Sequence, residues 1–428
     1  PESLPQRNTT MTHTLTPTRI VLSVSALALI TGALLSAGPL NPPAGPVTST
    51  YKTLTEVEPR IAINATNTPG DADSLFKVSQ PGSYYLTGNI TGVVGKHGVE
   101  IASSGVTLDL NGFDLLGAPG SLDGVTVIVG SPANITVMNG SVRSWGGDGV
   151  DLQTAGASNS RVAAVNSSAN GGHGILVAVT TSVDRCACSG NVASGITTQS
   201  TCVVTGCSTR GNQAQGIVVG NTSTVAECVA DFNTGIGISA DRGSALSGCT
   251  SQSNGSTGFF LNDGSTATNC AARTNAGDGV SSSFACVVTG CAATSNTGHG
   301  ISVASHSSVT DCAARSNTGD GIRLVSGCTA RHNTCASNGS GAADGAGIHA
   351  VGSDCLIQGN NCVISDRGID VDNPGNIIFG NTCAGNTTDW VIVANNVVGP
   401  IVDRRAPARA AINGFTAPAS PGSTHPHA

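Results

Sequence analysis

A chain of 428 residues ordinarily holds two or three domains, each with its own core. Here only 11% of residues are charged while Val and Ile are well supplied, which excludes a disordered chain. A formal net charge of −7, with Lys52, Lys77 and Lys96 as the only lysines and the arginines scattered, excludes a nucleic-acid partner.

Taken in chain order, residues 1–38 read as a leader whose start is Met11. Arg19 precedes an apolar run from Ile20 to Leu35, closed by Ser36, Ala37 and Gly38. That order of charge, apolar stretch and small residues is a signal peptide; an uncleaved anchor is the other reading of the same run. Either way, residues 41 onward are expected outside the cytoplasm, secreted or on the cell surface. Residues 39–95 read as a linker and an N-terminal cap that covers an open sheet edge with Tyr84 and Tyr85.

From there a period of 21 takes over. Gly174, Gly195, Gly216, Gly237, Gly258, Gly279, Gly300 and Gly321 are evenly spaced. Cysteine follows twelve residues later from Cys186 to Cys312, and asparagine seventeen later from Asn191 to Asn338. Self-similarity at a fixed period predicts a solenoid, which lengthens without needing a second core. Within a rung, apolar residues sit one and three after the glycine (Ile175 and Val177; Phe259 and Leu261), the alternation of a strand. Two further short alternations follow, at Val183 and around the cysteine column. No helical segment intervenes to connect parallel strands. The expected fold is all-β: a single-stranded right-handed parallel β-helix of about 14 rungs, mostly of 21 residues and with three short strands each. It spans residues 96–399, and 400–428 follow as a flexible tail without period.

The columns carry expected reasons. Glycine supplies φ > 0 at a bend. Asparagine accepts left-handed geometry and stacks its amides along the axis. The fifteen cysteines, an odd number, are expected as buried core thiols, although export permits disulfides. No histidine pair accompanies them, so no metal site is expected.

The segment Gly98–Gly117 (GVEIASSGVTLDLNGFDLLG) and the rungs patterned GIxV…C…N resemble secreted bacterial right-handed parallel β-helix proteins of the pectate-lyase-like superfamily. The resemblance implies the fold over residues 80–398. It leaves activity open, because that fold hosts lyases, hydrolases, epimerases and adhesins. Gly-His-Gly at 172–174 and 298–300 looks like an element of polygalacturonases, but their paired-aspartate and Arg-Ile-Lys elements are missing.

Chemistry is sought in the outward column just before each glycine. It stacks Asp278, His299 and Asp320 on successive rungs, where a histidine between carboxylates suits a general base, and makes Asp148 and His173 a smaller pair. Arg273 and Arg315 are placed to neutralise an acidic sugar, and Trp145, just before a bend, to offer an exposed aromatic platform. The competing reading is that Gly-Asp-Gly and Gly-His-Gly are bend chemistry. Asp366, Asp370 and Asp372 near Arg367 suit a cation only loosely, so neither calcium nor any other cofactor is implied. The expected partner is an extracellular polysaccharide or cell-surface glycan, with membrane contact only through an uncleaved leader. The near-perfect regularity favours a non-catalytic binding or structural rod; the alternative is a polysaccharide lyase or glycoside hydrolase working in a groove along the helix.

Overall fold

A computed structural model describes residues 57–127, 130, 132–153, 157–339 and 345–400. The expected leader and tail lie outside the described residues, and the strands belong to the unit Glu58–Ala428. Its named elements are all β-strands. No helix among the described residues is long and apolar enough to cross a membrane.

The rung that opens at Gly174 shows the plan. It contains strands Ile175–Val177, Ser182–Asp184 and Ala187–Ser189. Each pairs in parallel with its counterpart 21 residues on: Ile175 with Ile196, Val183 with Val204, Cys188 with Thr209. Ile175, Val177, Val183 and Cys188 point inward and are buried, so a continuous core runs along the coil. The first strands of all rungs make a fifteen-stranded sheet, from Ser74–Val78 to Thr388–Ile392. The second and third strands merge into one sheet of 28. They merge because only two residues, the first of them left-handed, separate them. In the eight-residue strands Thr136–Arg143 and Arg161–Ser168 the chain turns that corner unbroken, at Asn139 (φ 61°) and Ala164 (φ 52°).

The rung count exceeds the expected fourteen. Ser74–Val78, Gly82–Tyr85 and Ile90–Thr91 pair in parallel with the strands that follow, so a rung precedes Gly98. Ile61–Ala62 adds one strand beyond it. The extra rung carries Leu75 where later rungs have their glycine, which is why the period does not mark it.

The physical reason for the glycine column also differs from expectation. Gly174, Gly258 and their equivalents do not have positive φ. They are glycine because a Cβ would collide with the next rung: at Gly258 it would lie 2.6 Å from Gly279 O and 2.7 Å from Asn275 Nδ2. The final rung has no neighbour beyond it among the described residues, and there the position is Asp389, beside Trp390 stacked on Ile369. Left-handed geometry belongs instead to three corners per rung, for example Thr180 (φ 55°), Arg185 (φ 51°) and Gly190 (φ 63°). Residues as bulky as Phe232 take these corners, each at a cost of about 1–2 kcal/mol that the coil's packing offsets.

Directly after many of these corners an inward side chain accepts a backbone N–H from the rung before. Asn191 N donates to Asn212 Oδ1 at 3.1 Å, and Asn191 Nδ2 to the same oxygen at 2.9 Å. This asparagine ladder runs from Asn170 to Asn338. Cysteine plays the same part at the second corner, where Cys186 N and Cys207 N meet the next Sγ at 3.4 Å; Asn333 takes over from Cys312. All fifteen cysteines are buried free thiols. Burial pushes the Cys188 and Cys202 thiols up, away from the reactive thiolate.

Candidate functional site

The pre-glycine column follows from the register: each first strand begins one rung above the last, so residues 21 apart become axial neighbours. Asp278, His299 and Asp320 are brought together as expected, but through an unexpected bonding pattern. His299 N donates to Asp278 Oδ1 at 2.7 Å, Asp320 N to His299 Nδ1 at 3.0 Å, and Ala346 N to Asp320 Oδ1 at 2.8 Å. Each side chain caps the backbone amide of the next rung. The same pattern joins His97 to Asp123 N (3.0 Å) and Asp123 to Asp148 N (2.7 Å), and Asp148 accepts from His173 N. His173 Nδ1 then meets Thr197 Oγ1 at 3.2 Å. His299 Nδ1 also lies 3.2 Å from Asp320 Oδ2.

Burial sets the charge at these positions. It pushes the Asp148 carboxyl up to about 6, with Asp123 and Asp151 adding to the rise, against the opposing His173 N–H. It holds His173 below the usual imidazole range.

The column's C-terminal end holds the strongest group, and its centre is His349, which the pre-glycine column alone does not reveal. His349 lies outward on Ala346–Ala350, in register with Arg323 and Asp370. Its Nδ1 is 3.1 Å from Asp320 Oδ2, and its Nε2 is 3.0 Å from Asp372 Oδ2 and 3.8 Å from Asp370 Oδ2. Arg367 pairs with Asp370. Burial would lower the His349 imidazolium, but Asp320, Asp370 and Asp372 reverse this and raise it to about 9. Burial would likewise raise Asp320; His299 and His349 instead hold it well below the usual carboxylate range. The His349 imidazolium also lowers it by its charge. The signal that would have found it is a second column, two residues after each glycine, which runs Leu176, Thr197, Val218, Ser239, Phe260, Ser281, Ser302, Arg323, His349, Asp370.

Two groups have metal-ligand geometry among the described residues: His349 with Asp370 and Asp372, and Asp71 with Asp73 and Glu100. Both already hold a cation of their own. In the second, Lys77 Nζ lies 2.6 Å from Asp71 Oδ2 and 2.7 Å from Glu100 Oε1.

The remaining expected residues separate. Arg273 and Arg315 are exposed on the third strands, two rungs apart with Thr294 between them. Trp145 is no platform. It is 1% exposed, donates Nε1–H to Leu115 O at 3.0 Å, and fills the space that Gly98 leaves. An indole of that size is worth more in a narrow core than in water.

The family model described as right handed beta helix region matches residues 196–310 and 223–366. This chain carries a right-handed β-helix. Its sheets, corners and ladders are those of a β-helix throughout the described residues. No curated protein matches the chain. Among solved structures, the β-helix is similar to the A-module of the Azotobacter vinelandii mannuronan C-5 epimerase AlgE4, with 14% identity, 74% of this chain and 91% of that chain covered, and a TM-score of 0.42. It is also similar to the receptor binding domain of the Siphovirus 9NA tailspike, with 10% identity, coverage of 87% and 80%, and a TM-score of 0.44. A tailspike protein of E. coli bacteriophage HK620 in complex with a pentasaccharide gives 13%, 80%, 75% and 0.45.

Proposed function

We propose that this protein is an exported β-helix that contacts extracellular or cell-surface polysaccharide along the outer face of its fifteen-stranded sheet, without cleaving it. The observation that carries the proposal is the bonding of the pre-glycine column. Asp278, His299 and Asp320 are spent on capping backbone amides, so the side chains best suited to acid–base work in the regular zone hold rungs together instead. Beside them the face from Leu176 to Ser302 offers hydroxyls, aliphatic groups and one phenyl ring at one rung spacing, about 4.8 Å. Such a face can lie along an extended polymer. The apolar run at Ile20–Leu35 supports export.

A lyase or hydrolase is the second reading, and His349 is the observation that favours it. Its imidazolium is held between carboxylates, and the Asp372 side chain is 50% exposed. An imidazole raised to about 9 acts as an acid at neutral pH rather than as a base. A glycan-array screen, followed by reducing-end and unsaturated-product assays on every glycan that binds, separates the two. Binding without product is expected. Product that disappears in His349→Gln while binding persists would establish the second reading, and absence of all glycan binding would remove both.

A further inference from the structure

Val218, Ser239 and Phe260 occupy successive rungs at the outward centre of the first strand, in direct register. They floor a shallow depression of about 300 Å³, walled by Asp241 and Asn262 and opened by Gly220, which has no side chain to fill it. Phe260 is the single Phe, Tyr or Trp of its column. Its axial neighbours are Ser239 and Ser281, too small to cover the ring, so a face stays accessible on an otherwise flat sheet. The ring's inward companions Phe259 and Leu261 are fully buried, which anchors its strand.

The polar wall is preorganised. Asp241 Oδ1 accepts from Arg242 N at 2.8 Å and from Asn262 Nδ2 at 2.7 Å, which fixes the carboxylate's rotation. Asn262 Oδ1 accepts from Asp263 N at 2.8 Å, which fixes the amide. Asp241 Oδ2 has no partner among the described residues. Asp241 makes no ion pair either, because the neighbouring Arg242 guanidinium is directed to Asp263, with Nε 3.5 Å from Oδ2. The depression therefore combines an uncovered aromatic face, an oriented acceptor beside an oriented amide, and an uncompensated negative charge.

We propose that Phe260, Asp241, Asn262 and Ser239 form a binding subsite for a neutral pyranose unit. The proposal rests on the glycan-contacting face and names the sugar class that face takes. The C–H face of a pyranose is weakly positive and matches the negative face of the Phe260 ring. Adjacent sugar hydroxyls donate to Asp241 Oδ2 and accept from Asn262. A uronate is disfavoured, since its carboxylate would approach Asp241 with no cation between them. The volume sits at the lower end of small-molecule sites, as expected for one sugar of a longer chain. The exposed Arg273 and Arg315, by contrast, belong to the third-strand face.

The test is calorimetric titration of the full chain with neutral hexasaccharides (cellohexaose, maltohexaose and mannohexaose) and with hexamers of galacturonate and mannuronate. At least one neutral hexamer is expected to bind more tightly than either uronate. Phe260→Ser, which matches the serines above and below it and so preserves the fold, is expected to weaken that binding at least tenfold. Asp241→Asn is expected to reduce the preference for neutral over acidic hexamers. Phe232→Ser, at an exposed aromatic on a different corner beside Arg210, is expected to change nothing. Neutral binding unaffected by Phe260→Ser overturns the subsite and leaves the glycan-binding face standing, as does a preference for uronates. Absence of binding by every hexamer overturns the subsite and the face together.

Discussion

Gly258→Ala measures why the glycine column exists. If glycine is needed for close approach, the new Cβ meets Gly279 O at 2.6 Å, where ordinary contact begins at 3.4 Å. The rungs must part locally by roughly 0.8 Å, which carries the bonds from Gly258 N to Asp278 O and from Phe259 N to Gly279 O, both 2.9 Å, past hydrogen-bonding range. Losing two such bonds costs about 2 kcal/mol and overpacking adds about 1–3 kcal/mol, for a total of about 3–5 kcal/mol. Gly264→Ala is the control. Gly264 sits at φ 67° with nothing within 4 Å of an added Cβ, so only left-handed strain applies, about 1–2 kcal/mol. Guanidinium unfolding, compared by midpoint and slope, reads both variants. If Gly258→Ala proves no more destabilising than Gly264→Ala, the close-approach argument is refuted.

Four further outcomes are expected from the same geometry. Asn254→Ala removes the acceptor of Asn233 N and Asn233 Nδ2 and the donor to Ala230 O; with one buried amide left orphaned and a cavity opened, a loss of about 3–5 kcal/mol is expected, together with accelerated hydrogen exchange at Asn233. Exchange unchanged at Asn233 would contradict the ladder. His349, raised from 6.5 to about 9, contributes stability that is complete below pH 6.5 and lost as pH rises through 9, up to about 3 kcal/mol; an NMR titration midpoint near 6.5 would contradict it. Asp148, raised to about 6, acts in the same direction at lower pH: the native state loses about 3 kcal/mol as pH rises from 3.8 through 6. Asp148→Asn keeps an oxygen for His173 N, so it is expected to raise Tm above pH 6 and leave it unchanged below pH 4; equal Tm at pH 7.5 would count against this. The fifteen thiols, all buried, are expected to react with a thiol reagent in guanidinium but not in the native protein, and a deficit in denaturant would reveal disulfides.

The candidate site is partly legible in the sequence. A period of 21 makes Asp278, His299 and Asp320 axial neighbours, and they are. Their hydrogen bonds are not legible, since a column of polar residues reads alike whether it faces a ligand or caps backbone. His349 escapes the count because the 26-residue spacing from Gly321 to Gly347 breaks it just beforehand. The burial of Trp145 is hidden because the residues that enclose it come from rungs 21 and more positions upstream.

What the amino-acid sequence determined unaided was the repeat: one short unit, alternating apolar residues and stacked asparagines leave no architecture but a coil of parallel strands, because each unit can bury its inward face only against copies of itself. What the tertiary structure decided was the purpose of each column. The separation of two rungs, a few ångströms of space and the direction of an N–H decide whether a glycine is a hinge or a point of contact, and whether an aspartate is a catalyst or a cap. Those are properties of pairs of rungs, and no single rung encodes them.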